Sequence, residues 1–213
     1  NIEAIKVLKK CEKENRYATP EEQKIMSQYV GWGGLQQAFK KDDNSWSQEY
    51  QTLKELLTDE EYENARASVL TAFYTPPIVI KSMYEILQKM GLKEANILEP
   101  SCGIGNFLGM LPTELEQCKM YGVELDSISG RIAQQLYQKS TIAVNGYEKV
   151  DLPDSFFDVA IGNVPFGDFK VNDRKYDKNK FLIHDYFFGK TIDKVRPGGV
   201  IAFITSKGTM DKA

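Results

Sequence analysis

The chain has 213 residues, 42% hydrophobic and 27% charged, which suits one full-sized domain plus an extension of ordinary globular composition. No apolar run approaches the roughly 18 residues of a membrane span and no charged-then-apolar leader opens the chain, so a cytoplasmic location and no membrane partner are expected. A net charge of -3 excludes a strongly basic nucleic-acid coat but not local patches, while three scattered cysteines (Cys11, Cys102, Cys118) and a single histidine argue against a disulfide framework or a metal site.

From Asn1 to about Leu70 the pattern is helical. Ile2, Ile5, Leu8 and Cys11 recur at three-residue steps on one face. Thr19-Pro20-Glu21-Glu22 opens a second helix with a Thr cap, a proline at the first helical position and a glutamate able to close a capping box. Thr58-Asp59-Glu60-Glu61 repeats that start signal ahead of Tyr62, Ala65 and Val69. Between them, Gly31-Trp32-Gly33-Gly34-Leu35 is too glycine-rich for a helix interior. It reads as a turn whose Trp packs back on the core, with substrate gating as the alternative.

After Leu70 strands and helices alternate, the signature of a parallel sheet covered on both faces. Pro77 to Met90 reads as a helix closed by Gly91, and Ile97-Glu99 as the first strand. Then come a strand at Met120 to Glu124, a helix from about Ser127 to Ser140, strands at Thr141-Val144 and Phe157-Ile161, and a helix near Phe181-Val195. A fifth strand, Val200-Thr205, is introduced by Pro197-Gly198-Gly199. The expected fold class is α/β, a Rossmann-like doubly wound sheet, mostly parallel, with an α-helical N-terminal extension. The expected division is 1–70 for the extension and 71–213 for the core. Because the chain starts at Asn1 and stops at Ala213 just beyond a strand, it is expected to be a piece of something larger, its sheet truncated after the fifth strand.

Two segments carry chemistry. The first, Glu99-Pro100-Ser101-Cys102-Gly103-Ile104-Gly105-Asn106-Phe107, is a strand entering a turn where glycine lets the backbone approach a ligand closely. Position 108 is Leu, where a dinucleotide fingerprint wants a third glycine, so a pyrophosphate site and a nicotinamide dehydrogenase are disfavoured. Glu124, at the end of the second strand, can accept both hydroxyls of a ribose, and Glu99 suits a cationic, amino-acid-bearing cofactor. Asp126 reads as the cap of the following helix. Cys102 has no base nearby and reads as a small wall residue.

The second segment, Asn163-Val164-Pro165-Phe166, follows the apolar run Phe157 to Ile161. An adenine amino group is a poor nucleophile because its lone pair is delocalised into the ring. Two acceptors for its hydrogens, the Asn163 side-chain oxygen and the Val164 carbonyl, favour a pyramidal nitrogen that attacks a sulfonium methyl in line. Phe166 can stack on the ring for about 1–3 kcal/mol, and in duplex DNA the base must first be flipped out. The plainer alternative is an Asn-Pro turn with Phe166 in the core.

These motifs, in this order, resemble the adenine-modifying amino-group DNA methyltransferases that use S-adenosylmethionine. With Gly31 to Leu35, Thr71-Ala72-Phe73-Tyr74-Thr75-Pro76-Pro77 and Gly162 to Gly167, they look like the methylase region of large mobile-element and phage proteins that can also carry a helicase. The resemblance covers Thr71 to Ala213. It implies S-adenosylmethionine as cofactor, DNA and further domains of the same polypeptide as partners, and Asn163, Val164, Pro165 and Phe166 as the catalytic motif. It further implies that Tyr74, Thr75 and Pro76 close over the cofactor's methionine end, that Glu99 to Phe107 form its loop, and that Glu124 and Leu125 contact ribose and adenine. The loop Asn145 to Glu148 corresponds to an adenine-contacting site in which the usual carboxylate is not evident; Tyr147 or Glu148 stands there. Val164 replaces the usual first proline, and the antiparallel hairpin that completes the family's sheet is not in the chain. RNA or protein-glutamine methylation, and a catalytically silent binding module, are the rival functions.

The loop Lys170 to Lys180 is expected to be solvated and mobile, or alternatively to offer Lys170, Arg174 and Lys175 to DNA phosphates. His184 reads as a packed helix residue.

Overall fold

The computed structural model describes residues 1–69 and 74–209, so Thr71, Ala72 and Phe73 of the motif before the first strand lie outside the described residues. The N-terminal helices are α1 (Ile2–Lys13), α2 (Pro20–Met26), α3 (Ser47–Leu56) and α4 (Asp59–Ser68). Both expected capping boxes form. The Thr19 hydroxyl accepts from the Glu22 N–H and the Glu22 carboxylate from the Thr19 N–H; Thr58 and Glu61 do the same. The apolar face of α1 buries Ile5 and Leu8 completely, each contributing about 1.5–3 kcal/mol.

The remaining elements are α5 (Pro77–Lys89), β1 (Asn96–Glu99), α6 (Asn106–Gly109), β2 (Lys119–Glu124), α7 (Ser127–Leu136), β3 (Thr141–Val144), β4 (Phe157–Asn163), α8 (Ile183–Lys194) and β5 (Val195–Ile204). Their strands form one five-stranded parallel sheet in the order β3-β2-β1-β4-β5. The order reverses between β1 and β4, which opens a crevice at the carboxyl ends of those two strands. Ile80, Tyr84 and Leu87 of α5 and Ala133 of α7 cover one face of the sheet. On the other, Ile183, Tyr186 and Phe187 of α8 pack on Leu98, Val123 and Ala160.

α7 is buried on two sides. Ala133 faces the sheet, while Ile128 and Ile132 join Ile5, Leu8, Trp32 and Leu53 in a core shared with the N-terminal helices. Arg131 of α7 bonds Glu12 at 2.9 Å and pairs with Glu61, which also holds Lys9 at 2.7 Å.

Among the boundaries that differ from the sequence reading, three bear on the site. α7 stops at Leu136 rather than Ser140, because Tyr137 leaves the helix and lays its ring over the Gly-rich turn. β4 runs on through Gly162, so Asn163 is the last residue of the strand. β5 begins at Val195, and Arg196 to Gly199 form a bulge between the pairs Phe157↔Val195 and Val159↔Val200.

Candidate active site

The Gly-rich loop leaves β1 at the crevice. Gly103 (φ 55°) and Gly105 (φ 86°) take the left-handed conformation that glycine alone adopts without strain. Space for a side chain is tight there as well. A Cβ on Gly103 would lie 3.1 Å from the Tyr74 ring, and one on Gly105 only 2.4 Å from the ring of Tyr137. Tyr74 therefore covers the loop from one side and Tyr137 from another, the latter a contact that sequence reading missed.

Two carboxyl groups border this loop. Glu99 is 2% exposed, and one of its oxygens is buried with no hydrogen-bond partner among the described residues. Burial, reinforced by Glu124, pushes its carboxyl well above the usual range. Glu124 accepts the Gly103 N–H at 2.7 Å and the Asp126 N–H at 2.8 Å. Burial raises it and those N–H groups pull it back, leaving it at about 7. Asp126 caps α7 as expected, accepting from the Ser129 N–H at 2.9 Å. Cys102 is buried, and burial together with Glu99 and Glu124 holds its thiol protonated, in keeping with a wall residue.

The tetrapeptide stands at the end of the adjacent strand. The Ser101 hydroxyl donates to the Asn163 carbonyl at 2.7 Å, tying the Gly-rich loop to it. Val164 is buried, and its N–H donates to the Ile204 carbonyl at 3.1 Å, a bond that a proline in its place could not make. Phe166 is 44% exposed at the rim, so its ring is not core. Leu125, 73% exposed after β2, offers an apolar edge, and the Thr75 hydroxyl is buried with no partner among the described residues.

These groups suit a ligand that carries an ammonium and hydroxyls. Glu99 and Thr75 present unmet buried polar atoms, Glu124 keeps lone pairs beyond its two backbone bonds, and the loop lets the backbone approach.

Two expectations are corrected. Tyr147 is buried beneath α8: its hydroxyl pairs with Thr191 at 3.0 Å and its ring packs on Tyr186 and Phe187. It props the loop after β3 from below and has no face to offer a cofactor. Lys175 is committed to carboxylates, 2.8 Å from Asp193 and 3.3 Å from Asp154. These residues sit at the amino ends of β4 and β5, the edge opposite Asn163. A hollow of about 680 Å³ beside them shares only Lys175 with the expected site.

The loop after Phe166 is also more fixed than a solvated loop. The Ile183 N–H donates to Phe169, Asp173 accepts from Tyr186 at 2.7 Å and Lys190 at 3.4 Å, and Tyr176 is buried. It runs along α8 from the catalytic edge to the far edge and back. Lys170 is exposed near the catalytic end, and Arg174 is exposed toward the far turn. His184 is a buried helix residue. No group of described residues is arranged to hold a metal ion, and no helix among them is long and apolar enough to cross a membrane.

The model of the N-6 DNA Methylase family matches residues 55–212. The Defense against restriction protein B of Escherichia phage P1 is 31% identical over 156 residues, which span 71% of this chain and 7% of the phage protein. The Type II methyltransferase M.CvrRI of Paramecium bursaria Chlorella virus XZ-6E is 33% identical over 94 residues, 44% of this chain and 24% of the viral enzyme. The type I restriction-modification system methyltransferase subunit of Streptococcus thermophilus superposes with a TM-score of 0.55 at 17% identity, covering 83% of this chain and 48% of that one. That last likeness is one of fold.

Proposed function

Because the chain belongs to the N-6 DNA methylase family, we propose that it methylates the exocyclic amino group of adenine in DNA. The cofactor is S-adenosylmethionine, which supplies an electrophilic methyl group when bound. Glu99, Thr75 and Glu124 hold its ammonium and hydroxyl groups.

The observation that carries the reading is the 2.7 Å bond from Ser101 to Asn163, which joins cofactor loop and tetrapeptide at the strand-order reversal. There the Asn163 side-chain oxygen and the Val164 carbonyl accept the two amino hydrogens and turn the nitrogen lone pair toward the methyl group. Pro165 stiffens the segment and Phe166 stacks on the ring. Fixed acceptors and alignment supply the rate, and no general base of unusual pKa is required for the attack.

Labelled methyl transfer to DNA, RNA and protein, with Asn163→Ala as control, tests this. Transfer to DNA that disappears in the variant is the expected result. Transfer to RNA or protein alone sinks the substrate assignment, and cofactor binding without transfer makes the chain a silent module.

A further inference from the structure

The N-terminal helices do more than pack on α7, and the Gly31 to Leu35 turn, which the methyl-transfer chemistry does not use, marks the place. Trp32 is 3% exposed and Tyr29 1% exposed, their rings edge-to-face at 6.4 Å. The Trp32 indole N–H meets the Tyr29 hydroxyl, which in turn pairs with Ser129. The Tyr29 hydroxyl borders Trp32, Ser129, Asp126 and Tyr74. Ser129 is the hub, donating to Asp126 at 2.5 Å and lying beside the Tyr74 hydroxyl.

From this cluster a short path leads to the cofactor loop. The Tyr74 ring sits directly over Gly103, and Gly103 donates to Glu124. Thr75, next in sequence, has its own unpartnered buried hydroxyl, as does one oxygen of Asp126. Buried polar groups are nearly always paired, and each one left unmet costs about 1–3 kcal/mol. Here two such atoms, the Thr75 hydroxyl and one Asp126 oxygen, belong to residues lining one short path from the N-terminal turn to the loop.

We propose that Tyr29 and Trp32 are positioning residues for the cofactor site, holding Tyr74 over Gly103 through Ser129. The helical extension thereby sets cofactor affinity although it lies outside the sheet. Nothing in this depends on whether the methyl acceptor is DNA, RNA or protein.

The chain has two tryptophans, so in a Trp46→Phe background Trp32 alone reports. Titration with S-adenosylhomocysteine is expected to change Trp32 emission, with the same dissociation constant as calorimetry. Tyr29→Phe is expected to weaken cofactor binding roughly three- to tenfold, the worth of one hydrogen bond. Its melting temperature without cofactor falls by no more than a few degrees, about the loss of one hydrogen bond. A purely structural role predicts that lower melting temperature at unchanged affinity. Either an unchanged affinity in Tyr29→Phe or silent Trp32 emission overturns the proposal, and the emission test decides alone if Tyr29→Phe does not fold.

Discussion

The Ser101 hydroxyl donates to the backbone carbonyl of Asn163 at 2.7 Å, so the loop leaving β1 and the tetrapeptide ending β4 are held as one unit. Ser101→Ala removes that tie. Stability falls by about 1 kcal/mol, the net worth of one hydrogen bond. Turnover falls more, by roughly tenfold or beyond, since a small misplacement of reacting groups is costly. Cofactor affinity changes little. Single-turnover methyl transfer beside calorimetric cofactor binding separates the two, and an equal loss in both shows that Ser101 only shapes the cofactor pocket.

The acid at the end of β2 is expected to make cofactor binding pH-dependent. Glu124 is raised from the ordinary glutamate value to about 7 by burial, against the pull of the Asp126 and Gly103 N–H groups. The folded chain therefore holds this proton longer than the unfolded one. Its contribution to stability is complete below about 4.5 and is lost as pH rises through about 7. Ribose hydroxyls bind best to the carboxylate, so cofactor affinity moves the other way, about tenfold tighter at pH 8 than at pH 6. Glu124→Gln binds more weakly and flattens the profile between those values. A profile of unchanged slope in that variant transfers the titration to another group.

Much of the local geometry around the candidate site was legible because its signals are local. A strand leading into Gly103 and Gly105, a capping Asp126 and a tetrapeptide after an apolar run are each written within a few neighbouring residues. What escaped depends on the return of distant chain. Tyr147 follows β3 where a cofactor contact belongs, but only the arrival of Thr191, Tyr186 and Phe187 on α8 decides that its ring turns inward. Tyr137 ends α7 early for a similar reason, because the space left by Gly105 is where its ring fits. Pro197-Gly198-Gly199 reads as a lead-in to β5, yet Val195 already pairs with Phe157 and the glycines become part of a bulge.

The valine in the tetrapeptide serves the sheet. Its N–H bonds the Ile204 carbonyl at 3.1 Å, extending the β4–β5 ladder by one rung past Asn163. Val164→Pro keeps the carbonyl that the proposed chemistry uses and deletes this donor. The expected outcome is a loss of about 1 kcal/mol, roughly 2–4 °C in melting temperature for a chain of this size, with turnover within about threefold. A collapse in turnover at preserved stability means that the side chain at this position shapes the acceptor geometry.

Basic residues along the loop after the tetrapeptide divide by where α8 carries them. Lys170 is exposed just past Phe169, whose carbonyl is pinned by the Ile183 N–H at the start of α8. Lys175 is held by Asp193 and Asp154 at the other end of that helix, and its partners keep its ammonium above the ordinary lysine value. A phosphate near the catalytic edge therefore meets Lys170 and not Lys175. Measured as DNA affinity against salt, Lys170→Ala reduces the slope by about 1, the loss of one phosphate contact. Lys175→Ala leaves the slope alone and shows any effect in melting temperature, and Arg174→Ala, beside it on the far turn, behaves alike. If Lys175→Ala cuts the slope as deeply as Lys170→Ala, the nucleic acid runs along α8 to the amino ends of the strands, and the assignment of the crevice edge as its binding face fails.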